Sequence, residues 1–95
     1  MHVAAVSYEL HLPLPGSLKE KRAVIKPLVD GLRRRCAVAA AEVGHHDLWQ
    51  RSTIGIAAVA STEHHVLDLL DAADRFVWSH PELEVIDAER RWLDD

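Results

Sequence analysis

Glu42-Val43-Gly44-His45-His46-Asp47-Leu48-Trp49-Gln50-Arg51 is the stretch on which the prediction of the fold depends. Apolar, β-prone sequence lies on both sides of its centre, over residues 37–43 and 53–60, which predicts two strands of one hairpin. A hairpin turn usually needs only Asn, Gly or Asp. This connection instead carries two histidines, a carboxylate, an arginine and a tryptophan, and such a composition indicates recognition more than simple chain reversal.

The sequence before the hairpin predicts one strand followed by one helix. Apolar side chains alternate over residues 2–12, which is the period of a strand with one apolar face. Pro13, Pro15 and Gly16 end this strand. Ser17-Leu18-Lys19-Glu20 matches the capping box, so the helix is expected to begin near Leu18. Its predicted core stripe consists of Leu18, Ile25, Leu28, Val29, Leu32 and Cys36.

The sequence after the hairpin predicts a second helix and a last strand. Ser61 or Thr62 is the expected N-cap, and the segment His80-Pro81-Glu82 ends the helix. Residues 83–92 then form the closing strand, in which Ile86 and Ala88 are expected to face inward.

This order of elements predicts an α+β fold of the ferredoxin-like type, βαββαβ, in a single domain over residues 1–95. Right-handed crossovers place two helices on one face of a four-stranded antiparallel sheet, with the first and third strands in the centre. The other face is predicted to be small and apolar, without an aromatic side chain on which RNA bases could stack. We expect a second copy of the chain to cover it, as a homodimer. The residues predicted on this second face of the sheet are Val3, Ala5, Ser7, Glu9, Gly55, Ala57 and Val59.

Charge is distributed unevenly along this acidic chain, whose formal net charge is −4. Residues 17–35 contain seven basic and two acidic residues, a net charge of +5, so the remainder carries −9. Such a segment can form a positive surface that binds RNA phosphates without base specificity. It can equally be the solvated face of an amphipathic helix. The candidate phosphate contacts are Lys19, Lys21, Arg22, Lys26, the run Arg33-Arg34-Arg35, and Arg51.

Cysteine usage and hydropathy indicate a cytoplasmic protein. Cys36 is the one cysteine, which excludes an internal disulfide. The first residues have no basic region typical of a signal peptide, and no long uncharged apolar run follows. We therefore expect no association with a membrane.

Two strings of sequence resemble the YlxP-like family of small bacterial proteins, and the likeness covers almost the whole chain. They are Ser17-Leu18-Lys19-Glu20-Lys21-Arg22 and the ten-residue stretch followed by Thr53-Ile54-Gly55. The resemblance implies the ferredoxin-like fold and a biochemical function that is not established. Genes of this family often lie near genes of translation initiation and ribosome maturation, which suggests association with RNA or the ribosome. Gly44-His45-His46 departs from the family pattern of an acidic residue, one histidine and a polar residue, and this weakens any metal or proton role that needs the carboxylate.

Catalytic and metal chemistry find little support in the residues. His45 and His46 are adjacent and would point to opposite faces of a strand, so a metal site formed with Asp47 and Glu42 is not expected. A catalytic site could use a histidine as base beside Asp47, with Arg51 holding an anion. The sequence, however, shows no nucleophile in a suitable setting, no glycine-rich phosphate loop and no pair of carboxylates at a defined separation. We therefore expect no enzyme activity and no cofactor. Trp49 is either an interface anchor or a plug over the end of the sheet.

The favoured function is a non-catalytic accessory domain that binds structured RNA or a ribosomal surface, either ribosomal RNA or a ribosomal subunit. Residues 44–51 would supply a second recognition element. The alternative is a small-ligand-binding or regulatory homodimeric module that recognises an anionic metabolite through Arg51 and His46. The candidate binding residues are Lys19, Lys21, Arg22, Lys26, His45, His46, Asp47, Trp49, Gln50 and Arg51.

Overall fold

Four antiparallel strands form one sheet with two helices packed on one face. The computed structural model describes residues 1–93. The sheet order β2-β3-β1-β4 places β1 and β3 in the centre, which confirms the predicted ferredoxin-like α+β fold. The elements are β1 (His2–His11), α1 (Leu18–Arg35), β2 (Ala39–Gly44), β3 (Arg51–Ala60), α2 (Glu63–Trp78) and β4 (Glu84–Trp92).

The core lies between the sheet and the helices, as the alternation in β1 predicts. Val6, Tyr8 and Leu10 are buried on the helix side. The Tyr8 hydroxyl donates a hydrogen bond of 2.6 Å to Oδ1 of Asp74 on α2. Burial, followed by this bond to the carboxylate, raises the pKa of Tyr8 far above its ordinary value. The core therefore contains a neutral phenol that joins β1 to α2.

Side-chain caps define where both helices begin. The Ser17 hydroxyl accepts a hydrogen bond from the amide of Glu20 at 3.1 Å, as predicted. The Glu20 carboxylate accepts from the amide of Gly16 at 2.8 Å, one residue before the amide that a capping box normally uses. Of the two predicted caps of α2, Thr62 is the one used, since its hydroxyl accepts from the amide of His65.

The strands of the hairpin differ slightly from their predicted bounds. Ala37 has a φ of 54°, in the left-handed region, so the chain turns after α1 and β2 begins two residues later than predicted. β3 begins two residues earlier, because Arg51 already pairs with His11 of β1. The connection is therefore residues 45–50, and we call it the β2–β3 loop.

The inward orientation predicted for Ile86 on β4 is wrong. The register of β4 against β1 shifts between Glu9 and Leu10, which pair with Asp87 and Val85. Ile86 falls at this irregularity, and 53% of its surface is exposed. Ala88 pairs with Tyr8, on the helix side as predicted, but it stays exposed. An irregular register changes which side chains face the core.

The face of the sheet opposite the helices, called the open face below, is small and apolar as predicted. β1 and β3 pair Val3 with Val59, Ala5 with Ala57 and Ser7 with Gly55. Together with β2 these strands form a shallow groove of about 510 Å³. Glu89 and Arg91 of β4 lie at its rim and contact each other at 3.3 Å. Within residues 1–93 no element packs on this face, and no helix is long and apolar enough to cross a membrane.

Candidate nucleic-acid interface

A buried ion pair anchors the β2–β3 loop to α1. The Lys21 ammonium lies 3.0 Å from the Glu42 carboxylate and donates to the backbone carbonyl of His45. The hydroxyl of Ser52 donates to the same carboxylate at 2.6 Å. The two sequence strings that carry the family resemblance therefore meet in space. A loop held in this way presents its remaining side chains in a defined arrangement.

Lys21 is not an exposed phosphate contact, and its predicted role is wrong. Only 2% of its surface is exposed. A buried ammonium needs a carboxylate and hydrogen-bond acceptors, and Glu42 and the loop carbonyls supply them. The sequence contained a signal for this position. Lys21 lies between Leu18 and Ile25 at the three- and four-residue spacing of the core stripe of α1.

Gln50 holds the other side of the loop. Its side-chain amide donates to the carbonyls of Pro13 and Pro15 at 3.2 and 3.3 Å. Its backbone carbonyl accepts from the amide of Leu12 at 2.9 Å. These bonds join the loop to the connection between β1 and α1. Because the side-chain amide nitrogen is already used, Gln50 positions the loop, a role that the sequence did not indicate.

His45 and His46 lie on opposite sides of the sheet end, as predicted for adjacent residues. His46 Nε2 lies 3.1 Å from the carbonyl oxygen of Glu42, on the side of β2 that faces α1. His45 has a φ of 58°, and its Nε2 lies 3.5 Å from Oε2 of Glu9, on the open-face side. In the described part of the chain, no three histidine, cysteine or carboxylate side chains converge as a metal site.

Arg51 and His46 do not form one anion site. Arg51 lies beside Glu9, with 3.6 Å between its guanidinium and the carboxylate. Thr53 donates to the other Glu9 oxygen at 2.7 Å. This cluster belongs to the open-face side, whereas His46 lines a groove next to α1. The two residues therefore do not meet within one chain, and the alternative, in which a dimer groove binds an anionic metabolite through both of them, stays a prediction.

The tip of the β2–β3 loop is exposed. Asp47 makes no hydrogen bond or ion pair among residues 1–93, and neither neighbouring histidine pairs with it. Leu48 and Trp49 are about half exposed, with 52% for Trp49, which excludes a buried plug. Two further tryptophans, Trp78 at 61% and Trp92 at 41%, are also partly exposed. Trp49 thus remains available as an interface anchor.

The outward side of α1 carries a cluster of cations that we call the α1 basic face. Lys26 pairs with Asp30 at 3.3 Å, and Arg33 Nε donates to the carbonyl of Ala40 at 2.9 Å. The side chains of Lys19, Arg22 and Arg34 are exposed and make no ion pair or hydrogen bond within residues 1–93. The face consists of Lys19, Arg22, Lys26, Arg33, Arg34 and Arg35.

The two helices on the same side of the sheet carry opposite charge. α1 contains seven basic and two acidic residues, whereas α2 contains four acidic residues and one arginine. An acidic protein can therefore attract a polyanion locally, because the potential near α1 is set by α1 and not by the net charge. The separation favours approach of a polyanion from the side of α1 and β2.

A groove of about 280 Å³ separates α1 from the outer edge of β2. Cations from α1 line one wall, and Glu42 and His46 line the other. We call it the α1–β2 groove. Both strings of the family resemblance contribute to it, through Lys21 and Arg22 from the first and Glu42 and His46 from the second.

Comparison with known sequences identifies the family. The sequence model of a family described as "Protein of unknown function (DUF503)" matches residues 3–90. The chain belongs to this family. It is also similar to "Uncharacterized protein YlxP" of Bacillus subtilis (strain 168), with 39% identity over 78 residues, which cover 82% of this chain and 85% of that protein. The predicted resemblance to YlxP-like proteins is thereby confirmed.

The family match spans every helix and both hairpin strands, so the loop anchor and the α1–β2 groove lie inside it. In this DUF503 member the first string serves two structural purposes: Ser17 caps α1, and Lys21 holds the loop. Neither protein name states an activity, so the chemistry of the surfaces is the guide to function.

Proposed function

We propose that the protein is a non-catalytic cytoplasmic accessory domain that binds structured RNA, as ribosomal RNA or a ribosomal surface, through the α1 basic face. The observation that carries the proposal is the concentration of unpaired cations on one helix of an acidic protein. Lys19, Arg22 and Arg34 have no partner among the described residues, so a polyanion does not have to displace an internal carboxylate. Such cations contact the phosphates of RNA, and the affinity falls steeply as the salt concentration rises.

The tip of the β2–β3 loop is proposed as a second recognition element. Lys21 fixes the loop to the same helix that carries the basic face, so one partner can contact both. Trp49 offers a large side chain that is already half exposed. A tryptophan in such a position often supplies a large share of binding energy at an interface.

We also propose that the protein is a homodimer that packs open face against open face. The support is the apolar groove on this face, together with the absence of aromatic or unpaired charged side chains at its centre within residues 1–93. A flat surface of alanine, glycine and valine suits another flat sheet better than a small polar ligand. Two such sheets pack in layers about 10 Å apart.

Co-sedimentation with small ribosomal subunits at low and moderate salt tests the RNA proposal. Arg22→Glu removes a free cation from α1, and Arg75→Glu makes the same charge change on α2. The parent protein and Arg75→Glu are expected to bind saturably and to release with salt, whereas Arg22→Glu loses binding. Lys21 must stay unchanged, because its substitution disturbs the loop. Absence of binding at both salt concentrations, or equal loss in both variants, would contradict the proposal.

A further inference from the structure

The α1–β2 groove carries a net positive charge, and the carboxylates within it are already paired with lysines. Arg22, Lys26 and Arg33 share one side of α1, at spacings of four and seven residues. The two carboxylates in the groove are both paired, Glu42 with Lys21 at 3.0 Å and Asp30 with Lys26 at 3.3 Å. Since four cations line the groove against two carboxylates, even with His46 neutral, an entering anion meets a net positive wall.

Two hydrogen bonds at the edge of β2 fix the groove-lining side chains in position. Arg33 Nε donates to the carbonyl of Ala40, and His46 Nε2 lies at hydrogen-bond distance from the carbonyl of Glu42. Both bonds leave groups free for a ligand, namely the two terminal amino groups of Arg33 and Nδ1 of His46. They also occupy outward carbonyls of an edge strand, which argues against an added peptide strand as the occupant.

The floor of the groove is apolar. Ile25 and Val29 are mostly buried and form it together with Leu18. A volume of about 280 Å³ is at the lower limit for small-molecule sites and suits a ring with a phosphate better than a duplex. A ligand that combines negative charge with a flat, weakly polar ring matches both the wall and the floor.

We infer that the α1–β2 groove binds a nucleoside phosphate, with phosphate oxygens on Arg22, Lys26 and Arg33 and the base against the floor. The nucleotide can belong to a single-stranded RNA segment or be free in solution, since both present the same chemistry. The three cations extend over about 16 Å of helix, so an RNA strand would place successive phosphates along them. This inference rests on the proposed function in its RNA form and deepens it.

Fluorescence anisotropy with a labelled single-stranded hexaribonucleotide tests the site. Arg33→Gln removes a guanidinium from the groove, and Arg34→Gln makes the same charge change one residue away, outside the groove. We expect Arg33→Gln to weaken binding of the hexanucleotide about tenfold more than Arg34→Gln, because it loses a charge-assisted hydrogen bond as well as a charge. Unlabelled adenosine or uridine monophosphate should compete.

Nuclear magnetic resonance spectra of the parent protein provide a second test that does not depend on whether a variant folds. Addition of a nucleoside monophosphate is expected to shift the backbone amide resonances of residues 18–33 and 40–46. Inorganic phosphate at the same concentration should leave the resonances of the floor residues unchanged. Shifts elsewhere, or identical shifts with inorganic phosphate, would overturn the assignment of a nucleoside site.

The outcomes separate this inference from the proposed function. If both glutamine variants lose the same affinity while an RNA hairpin still binds the parent protein, the groove is not a site and the basic face remains one. If no RNA binds but the mononucleotide shifts the groove resonances, the groove is a site for free nucleotides and the RNA proposal fails.

Discussion

Lys21 is the buried cation of α1, so its substitution is expected to affect stability more than substitution of the exposed cations. Lys21→Met leaves Glu42 partly buried with Ser52 as its remaining side-chain partner and releases the carbonyls of the β2–β3 loop. Loss of one partner of a buried pair costs about 3 kcal/mol. We expect a drop of this size in the free energy of unfolding, measured by urea denaturation.

Two further variants serve as controls for Lys21. Lys19→Met changes the same charge on an exposed position and should alter stability by less than about 0.5 kcal/mol. The double variant Lys21→Met/Glu42→Leu should recover most of the loss, because apolar side chains can replace a buried ion pair. A Lys21→Met variant as stable as Lys19→Met would show that the pair does not hold the loop.

The bond from Tyr8 to Asp74 is a second local determinant of stability. Tyr8→Phe removes the hydroxyl from a buried ring and keeps the packing. Because Asp74 is only partly buried, water replaces part of the bond, and we expect a loss of about 1–2 kcal/mol. Chemical denaturation of the parent and the variant at neutral pH measures this difference.

Alkaline pH should weaken the parent protein more than Tyr8→Phe. The raised pKa of Tyr8 means that the folded protein keeps the phenol proton while the unfolded chain releases it near pH 10. The contribution of Tyr8 to the free energy of unfolding is therefore fully present below pH 10. Above pH 10 it falls by up to about 1.4 kcal/mol per pH unit. Denaturation at pH 9, 10 and 11 measures it, and parallel curves for the two proteins would contradict the expectation.

At the scale of elements, the passage from α1 to β2 is strained at one residue. Ala37 is exposed and adopts a left-handed conformation, which costs a residue with a Cβ about 1–2 kcal/mol. Glycine avoids this strain and loses part of the gain through chain entropy. Ala37→Gly is expected to raise stability by about 0.5–1 kcal/mol, seen as a higher midpoint of thermal unfolding.

The matched control for Ala37 is Ala23, which is exposed inside α1. Ala23→Gly introduces the same residue at a position with helical backbone and should lower stability by about 1 kcal/mol. Opposite signs for the two substitutions would demonstrate the conformational origin of the effect. A loss in both would show that Ala37 is not strained.

Local pattern predicted the elements well and their irregularities poorly. The capping box located the start of α1, and alternation located β1, because both signals depend on neighbouring residues. The misplaced Ile86 has another origin. Its orientation depends on how β4 aligns with β1, and the partners in that alignment are more than seventy residues apart. No short window of sequence contains this information.

At the scale of the whole molecule, the topology was predictable and the site only in part. The long apolar runs of β1 and β3 indicated central strands, and the sheet order β2-β3-β1-β4 confirms this. The candidate residues were drawn from α1 and the hairpin connection, which the structure brings together through Lys21 and Glu42. Of their division into anchors and free contacts, only the burial of Lys21 had a signal in the sequence, its place on the core stripe of α1. Whether Lys21 and Gln50 hold the loop depends on contacts between distant segments, which appear only once the chain is folded.

The open face gives a prediction about assembly. Ala57→Arg places a long cation at the centre of the proposed interface, opposite Ala5 and beside Ala39. A buried unpaired charge is costly, so we expect the homodimer to dissociate into monomers. Light scattering coupled to size-exclusion chromatography reports the mass of each variant.

Ala23→Arg is the control for this substitution, because it adds the same side chain to the exposed surface of α1. It should leave the mass of the dimer unchanged. Circular dichroism should show that both variants keep their fold. A parent protein that elutes as a monomer at all concentrations, or a dimer that persists in Ala57→Arg, would refute packing through the open face.

The partly exposed positions of all three tryptophans give the protein a set of surface reporters. Trp49 lies at the tip of the β2–β3 loop, Trp78 at the end of α2 and Trp92 at the end of β4. None of them lies in the buried core. Because each indole marks a different region, proteins that retain one tryptophan and carry phenylalanine at the other two positions would show by quenching which region a partner covers.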